Sequence, residues 1–214
     1  RAERSSSLYG IRGIFDSGSD PLEKDILLRD VRIAISAASA NARGVDAFGR
    51  MELAVDGMTI VVTPGGLLPT NTLGFRTQSE TNLKASRLDV TLAYAASPVF
   101  EVRGLQFSTS SQVDVSDFRV KIETGTCAVG GFTNGVVFYN VAPSVGFLSQ
   151  RSPQVRNGLV QVSTEDCFAG GIFASGSKPV IDNVRIVATQ AGTSNQAAIG
   201  YSFRAVSNGC DGTY

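Results

Sequence analysis

Two acidic residues and two arginines are spaced along the sequence as a site for acid–base chemistry on a sugar would require. Asp46 and Glu101 lie in strand-like runs, and Arg76 and Arg103 are expected to flank them. If both carboxylates face outward from strands two repeats apart, the strand spacing separates them by about 9.6 Å. An inverting glycosidase holds its two carboxyl groups roughly 6.5–9.5 Å apart, so this pair stands at the wide edge of that range.

The rest of the composition excludes several classes of protein. The 214 residues contain no histidine, which rules out Ser-His-Asp and Cys-His mechanisms and removes the commonest metal ligand. Lys+Arg and Asp+Glu number 19 each, and the absence of a basic patch argues against a nucleic-acid partner. No loop has the ligand spacing of a calcium site, so we expect neither a metal nor a cofactor. The chain contains no run of 18 apolar residues, so we expect no membrane-spanning helix.

The elements that must position the four charged residues recur along the chain. The stretch IFDSGSDP at 14–21 returns as IFASGSKP at 172–179. Between and around these copies, six runs alternate apolar and other residues, as strands with one buried face do. Their starts differ by 27, 30, 30, 41 and 25 residues, a period typical of solenoids and propellers. The runs are 31–36, 58–63, 88–93, 118–123, 159–164 and 184–189.

Each run belongs to a three-part unit. A short strand and a polar corner precede it, and another strand follows it after a loop of variable length. Alternation within the strands predicts inward side chains that include Leu73, Ile199 and Tyr201. The predicted corners are Asp30, Asp56, Ser86, Asp117, Asn157 and Asn183, and the following strands are 44–49, 72–77, 98–103, 135–140, 170–175 and 198–203.

This ordered unit resembles the right-handed parallel β-helix of the pectate-lyase-like superfamily. The resemblance implies an all-β solenoid of about six to seven coils with three strands per coil. We expect one domain over 1–214, with a cap or arm at 1–10, coils over 11–205 and a tail at 206–214. A β-propeller fits less well because the units have three strands and lack hairpin turns. A β-sandwich would not explain why the unit recurs in order.

The resemblance also implies where a ligand would lie. In enzymes of this fold the sugar chain usually follows the sheet built by the third strand of each unit. Four aromatic residues are expected on the outer side of that sheet, where they would contact carbohydrate or a neighbouring chain. They are Phe15, Phe48, Tyr139 and Phe173. Neither the calcium-binding carboxylate cluster of the lyases nor the paired-Asp motifs of the hydrolases is present. The alternative for Glu101 is therefore an ion pair with Arg76 or Arg103.

The three cysteines provide a test of the register. Cys127 and Cys167 each lie three residues after a threonine that closes a strand, so they should occupy the same place in successive coils. The coil spacing of about 4.8 Å falls within the Cα separation of a disulfide, about 4.4–6.8 Å. Either a disulfide or a pair of stacked thiols fits, and a disulfide would indicate an oxidising compartment. Cys210 has no evident partner in the sequence.

The sequence therefore favours a non-catalytic scaffold over an enzyme. We expect a secreted, cell-surface or virion β-helix that self-assembles or docks to neighbouring chains through its outer sheets and lateral loops. Polysaccharide is a further candidate partner. The alternative is a polysaccharide lyase or a glycoside hydrolase acting along the outer sheet, in which Asp46, Glu101, Arg76 and Arg103 would be catalytic.

Overall fold

All regular structure in the described part of the chain is β-strand. The computed structural model describes residues 8–14, 25–36, 41–49, 51–63, 70–79, 81–94, 99–108, 112–125, 127–141, 152–192 and 197–204. Thirteen strands follow one another, and they alternate between two sheets. Every pair of neighbouring strands among the described residues is parallel, so the chain is an all-β parallel solenoid.

Odd-numbered strands form the seven-stranded sheet A and even-numbered strands form the six-stranded sheet B. This count fits the expected six to seven coils. Sheet A contains β1 (Leu8–Ile14), β3 (Ala42–Phe48), β5 (Thr70–Gln78), β7 (Val99–Ser108), β9 (Cys127–Tyr139), β11 (Phe168–Ser175) and β13 (Ala198–Arg204). Sheet B contains β2 (Asp25–Ile35), β4 (Met51–Val62), β6 (Thr81–Tyr94), β8 (Val113–Thr124), β10 (Gln154–Thr164) and β12 (Val180–Gln190).

Each strand of sheet B bends at a single residue with positive φ. The two short runs predicted on either side of the polar corner are thus one continuous strand with two straight segments. The bend occurs as predicted at Asp30, Asp117, Asn157 and Asn183, with φ between 48° and 52°. In the other two strands it falls one residue later than predicted, at Gly57 and Arg87. Asparagine and aspartate accept this left-handed conformation more readily than other non-glycine residues.

Sheet A bends as well, along a column of seven glycines. They are Gly10, Gly44, Gly74, Gly104, Gly135, Gly171 and Gly200. A β-carbon on Gly104 would overlap Val120 of sheet B and lie 2.5 Å from the carbonyl oxygen of Gly135 in the next coil. The two sheets therefore approach each other too closely here for any side chain. The residues before three of these glycines, Arg43, Leu73 and Arg103, are partners in successive strands, so the glycines themselves are aligned from coil to coil.

The core consists of apolar columns that run along the solenoid. One column of sheet B is Ile33, Ile60, Val90, Val120, Val160 and Ile186. Its four central members are inaccessible to solvent, because each is covered by a coil on both sides. In sheet A the rings of Phe107 and Phe138 are register neighbours with centroids 5.3 Å apart.

Two of the side chains predicted to point inward lie on the outer side in the structure. Leu73 and Ile199 belong to the column of Arg43 and Arg103, one residue before the glycines. The prediction was wrong because two successive residues, the glycine and the one after it, both face the interior at the bend. Tyr201 lies on the inner side as predicted and is 45% exposed in the last described strand of sheet A.

We predict that Gly104→Ala destabilises the fold by at least about 2 kcal/mol. The added methyl group would displace backbone of the neighbouring coil, and overpacking of this kind typically costs about 1–3 kcal/mol or more. Urea unfolding followed by circular dichroism measures the change.

Gly200→Ala is the matched control, because it lies in the same column at the end of the stack. The nearest atom to a β-carbon at Gly200 is 3.9 Å away, an ordinary contact. This variant should unfold at nearly the wild-type urea concentration. Equal destabilisation of both variants would contradict the close approach of the two sheets.

Candidate functional site

The register of sheet A separates the two carboxylates that the sequence analysis paired. Two residues after each glycine lies an outward column, called here the Asp46 column: Arg12, Asp46, Arg76, Gln106, Val137, Phe173 and Ser202. In β7 the member of this column is Gln106, and Glu101 lies five residues before it in the same strand. Glu101 instead pairs with Asn71 and Phe132 in the neighbouring strands. The expected register, which aligned Asp46 with Glu101 and Arg76 with Arg103, is therefore wrong.

Asp46 is held by two arginines. Arg76 donates hydrogen bonds to both carboxylate oxygens, from Nε to Oδ1 at 2.7 Å and from Nη2 to Oδ2 at 2.9 Å. Arg43 donates from Nη1 to Oδ2 at 2.7 Å, across the bend of its own strand. Asp46 is only 2% exposed although it lies on the outer side of the sheet. This geometry suits a structural ion pair, since bidentate arginine contacts are strong and directional.

The electrostatics keep Asp46 ionised. Burial by itself raises the pKa of this carboxyl group, but the hydrogen bonds and charges of Arg76 and Arg43 outweigh burial. The net effect lowers the pKa of Asp46 below its ordinary value. A general acid needs the opposite shift, toward the working pH, so Asp46 is poorly suited to protonate a leaving group.

A second network surrounds Arg103. Its guanidinium contacts the Glu101 carboxylate, as the structural alternative for Glu101 predicted. It also donates to Gln106 Oε1 at 2.8 Å and to the Tyr139 hydroxyl at 3.1 Å. The guanidinium carbon lies 4.9 Å from the Tyr139 ring centroid and 5.5 Å from that of Phe132, which are cation–π distances. Burial lowers the pKa of Arg103, partly offset by Tyr139.

The predicted aromatic residues occupy two adjacent outward columns. Phe173 lies in the Asp46 column, and Phe48 and Tyr139 lie two residues further along their strands. Tyr139 and Phe173 pack edge to face with centroids 5.6 Å apart, and Phe48 is 38% exposed. These rings thus lie on one face of sheet A, where Tyr139 contacts Arg103 and Phe173 contacts Tyr139. Phe15 lies outside the described residues.

The cysteines are only partly described. Thr124 and Thr164, from which their positions were counted, are register partners as predicted. The Cys167 side chain is inaccessible to solvent, and the Thr124 hydroxyl donates to its sulfur at 3.7 Å. The side chain of Cys127 and all of Cys210 lie outside the described part of the chain, so the predicted Cys127–Cys167 disulfide stays a prediction.

The sequence analysis missed a groove on the outer side of sheet B. It lies along the segments that precede the bend in each strand. It has a volume of about 540 Å³ and runs across five strands. Asp114 in its lining accepts hydrogen bonds on both carboxylate oxygens from Nη2 of Arg156, at 2.8 and 3.0 Å, and Glu52 accepts a hydrogen bond from Asn82. No motif in the sequence indicates this groove, because its lining comes from single outward residues about 30 positions apart.

Among the described residues, no group of three or more Asp, Glu, Cys or His side chains could hold a metal ion, and no helix is long and apolar enough to span a membrane. Comparisons with protein-family models, with curated proteins and with solved structures each returned no match.

We predict that Asp46→Asn lowers the stability of the fold by about 3 kcal/mol at pH 7, the usual cost of removing one partner of a buried ion pair. The folded pKa of Asp46 lies below its unfolded value of about 3.9. The ion pair therefore stabilises fully above pH 4 and loses its effect as the pH falls through the folded pKa. The stability difference between wild type and variant should shrink below about pH 4.

Asp182→Asn is the matched control. Asp182 is exposed, and no described side chain forms an ion pair with it. Denaturant unfolding at several pH values between 2 and 7 gives the comparison. A gap between wild type and Asp46→Asn that stays constant down to pH 2 would contradict the ion-pair argument.

Proposed function

We propose that this chain is a non-catalytic β-solenoid scaffold that takes part in a secreted, cell-surface or virion assembly. The fold supplies a rigid stack of strands with apolar columns through its length. Its lateral loops and outer faces would present contacts to neighbouring chains, and the exposed rings on sheet A would suit a polysaccharide as a further partner.

The observation that carries this proposal is the closed ion-pair network of Asp46. The carboxylate with the best claim to a catalytic role already accepts three hydrogen bonds from Arg43 and Arg76. Glu101 likewise contacts Arg103, which also donates from Nη1 to Gln106 and from Nη2 to Tyr139. These contacts support a structural use of the charged residues, because groups held in this way are not available to exchange protons with a substrate.

The ends of the stack support a role in assembly. On the inner side of sheet A, Leu8 of the first described strand is 43% exposed and Tyr201 of the last described strand is 45% exposed. Among the described residues, inward apolar side chains are thus more exposed in the outermost strands than in the central ones. Solenoids need such ends to be covered, and a neighbouring chain is one way to cover them.

Turnover of polysaccharides tests the proposal against the enzyme alternative, a lyase or hydrolase of the pectate-lyase-like type. Wild-type protein and Glu101→Gln should both fail to release reducing ends or unsaturated products from a panel of neutral and anionic polysaccharides. The decisive contrary result would be turnover by the wild type that falls at least about 100-fold in Glu101→Gln while the variant remains folded.

A Cys127–Cys167 disulfide belongs to the same proposal, because it would place folding in an oxidising compartment. We predict that mass spectrometry of the non-reduced protein finds one disulfide linking these two cysteines and one thiol at Cys210. Cys127→Ser should then free the thiol of Cys167. Three free thiols in protein secreted from cells would exclude the bond.

A further inference from the structure

The groove on the outer side of sheet B has the dimensions of a ligand site. It crosses the five strands from β2 to β10, and four strand spacings give it a length of about 19 Å along the solenoid. Its volume of about 540 Å³ lies within the range of ligand sites, about 300–1,000 Å³. A second cavity of about 260 Å³ shares Ala54, Lys84 and Asp114 with it. This shape suits an extended chain that runs along the solenoid axis.

One row of outward residues forms the floor of the groove. Leu27, Ala54, Lys84, Asp114 and Gln154 are partners in successive strands. Ala54 has the shortest side chain of the row, so it leaves space between the longer side chains of Leu27 and Lys84. Leu27 is 58% exposed, more than any other large apolar residue in the described part of the chain. The floor therefore offers an apolar contact beside several polar groups.

The polar groups of the groove have unused hydrogen-bonding capacity. A second row lies two residues earlier in each strand, where Glu52 accepts a hydrogen bond from Asn82. Carboxylates accept hydrogen bonds, ammonium groups donate them and amides do both. Within the described residues, four lining side chains of these kinds form no hydrogen bond or ion pair: Asp25, Lys84, Gln112 and Gln154.

The charges of the groove disfavour an anionic ligand. Its lining contains three acids and one base, Lys84. Asp114 is paired with Arg156, which leaves the carboxylates of Asp25 and Glu52 against the single ammonium group. A sulfate, phosphate or uronate group would therefore meet more negative than positive charge, and like charges at close range repel.

The backbone of sheet B disfavours a peptide strand as the occupant. Strands β4, β6, β8 and β10 are each paired on both sides, so the middle of the groove has no free strand edge. A peptide that adds to a sheet obtains its affinity from such an edge. Recognition in this groove must come from side chains alone.

We propose that this groove binds a neutral oligosaccharide chain, extended along the solenoid axis. Sugar hydroxyls donate and accept hydrogen bonds, so they match the carboxylates, amides and ammonium group of the lining. The apolar face of a sugar ring would pack against Leu27, beside the space above Ala54. This inference rests on the proposed scaffold function, because the chain would be held without being cleaved. It assigns the carbohydrate to sheet B rather than to the rings of sheet A.

Affinity electrophoresis tests the inference. Native gels are cast with dextran, galactomannan or xyloglucan, which are neutral, or with polygalacturonate, which is anionic. At least one neutral polysaccharide should retard the wild type, and polygalacturonate should not. Ala54→Phe fills the space between Leu27 and Lys84, so it should raise the dissociation constant for the neutral polysaccharide at least about tenfold.

Ala34→Phe is the matched control. Ala34 is an exposed, outward residue of the same sheet, but it lies after the bend and outside the groove lining. This variant should be retarded as strongly as the wild type. Circular dichroism checks that both variants fold. Lys84→Ala, which shortens an exposed side chain of the lining, provides a second test by weakening binding if Ala54→Phe does not fold.

Four results would each overturn the inference. They are no retardation by any of the three neutral polysaccharides, retardation by polygalacturonate that Ala54→Phe abolishes, equal loss of binding in Ala34→Phe and Ala54→Phe, and loss in Phe48→Ala while Ala54→Phe still binds. The last result would place the carbohydrate on sheet A. None of them involves cleavage of a polysaccharide, so the scaffold proposal stands or falls separately, on the release of products.

Discussion

The close contact of the two sheets at the glycine column is the constraint on which the rest of this structure depends. Parallel strands repeat every coil, so a position that tolerates no side chain in one coil tolerates none in the next. Six glycines from Gly10 to Gly171 meet this condition, and Gly200 continues their column in the last described strand of sheet A. They bend sheet A, allow Ile60, Val90, Val120 and Val160 to pack beneath it, and set the register of every outward residue that follows.

That register decides the chemistry of the outer face. Because Arg76 stands directly beside Asp46 and Arg43 reaches it across the bend, a carboxylate that is almost completely buried stays ionised. Arg103 lies in another column, where it gathers Glu101, Gln106 and Tyr139 around one guanidinium. Asp46 is thus paired with two arginines and Glu101 with one, so the two acids of this face are paired within the chain. The proposed scaffold role rests on this pairing.

Burial differs between the central and the outermost described strands. Seven described strands form sheet A and six form sheet B. Central coils bury inward side chains such as Val120 and Ile172 almost completely, because each is covered by a coil on both sides. Tyr201, in the last described strand of sheet A, is 45% exposed.

The sequence by itself determined the class of the fold. Alternation, a period near 30 residues and the polar corners at Asp30, Asp117, Asn157 and Asn183 depend on neighbours in the chain, so they can be predicted from it. The glycines that each precede an apolar residue would also have given the register of sheet A. Only the tertiary structure showed why they matter, because the clash they avoid is with another sheet and another coil. It therefore decided which charges meet. Asp46 lies beside Arg76, whereas Glu101 lies beside Asn71, outside the column of Asp46.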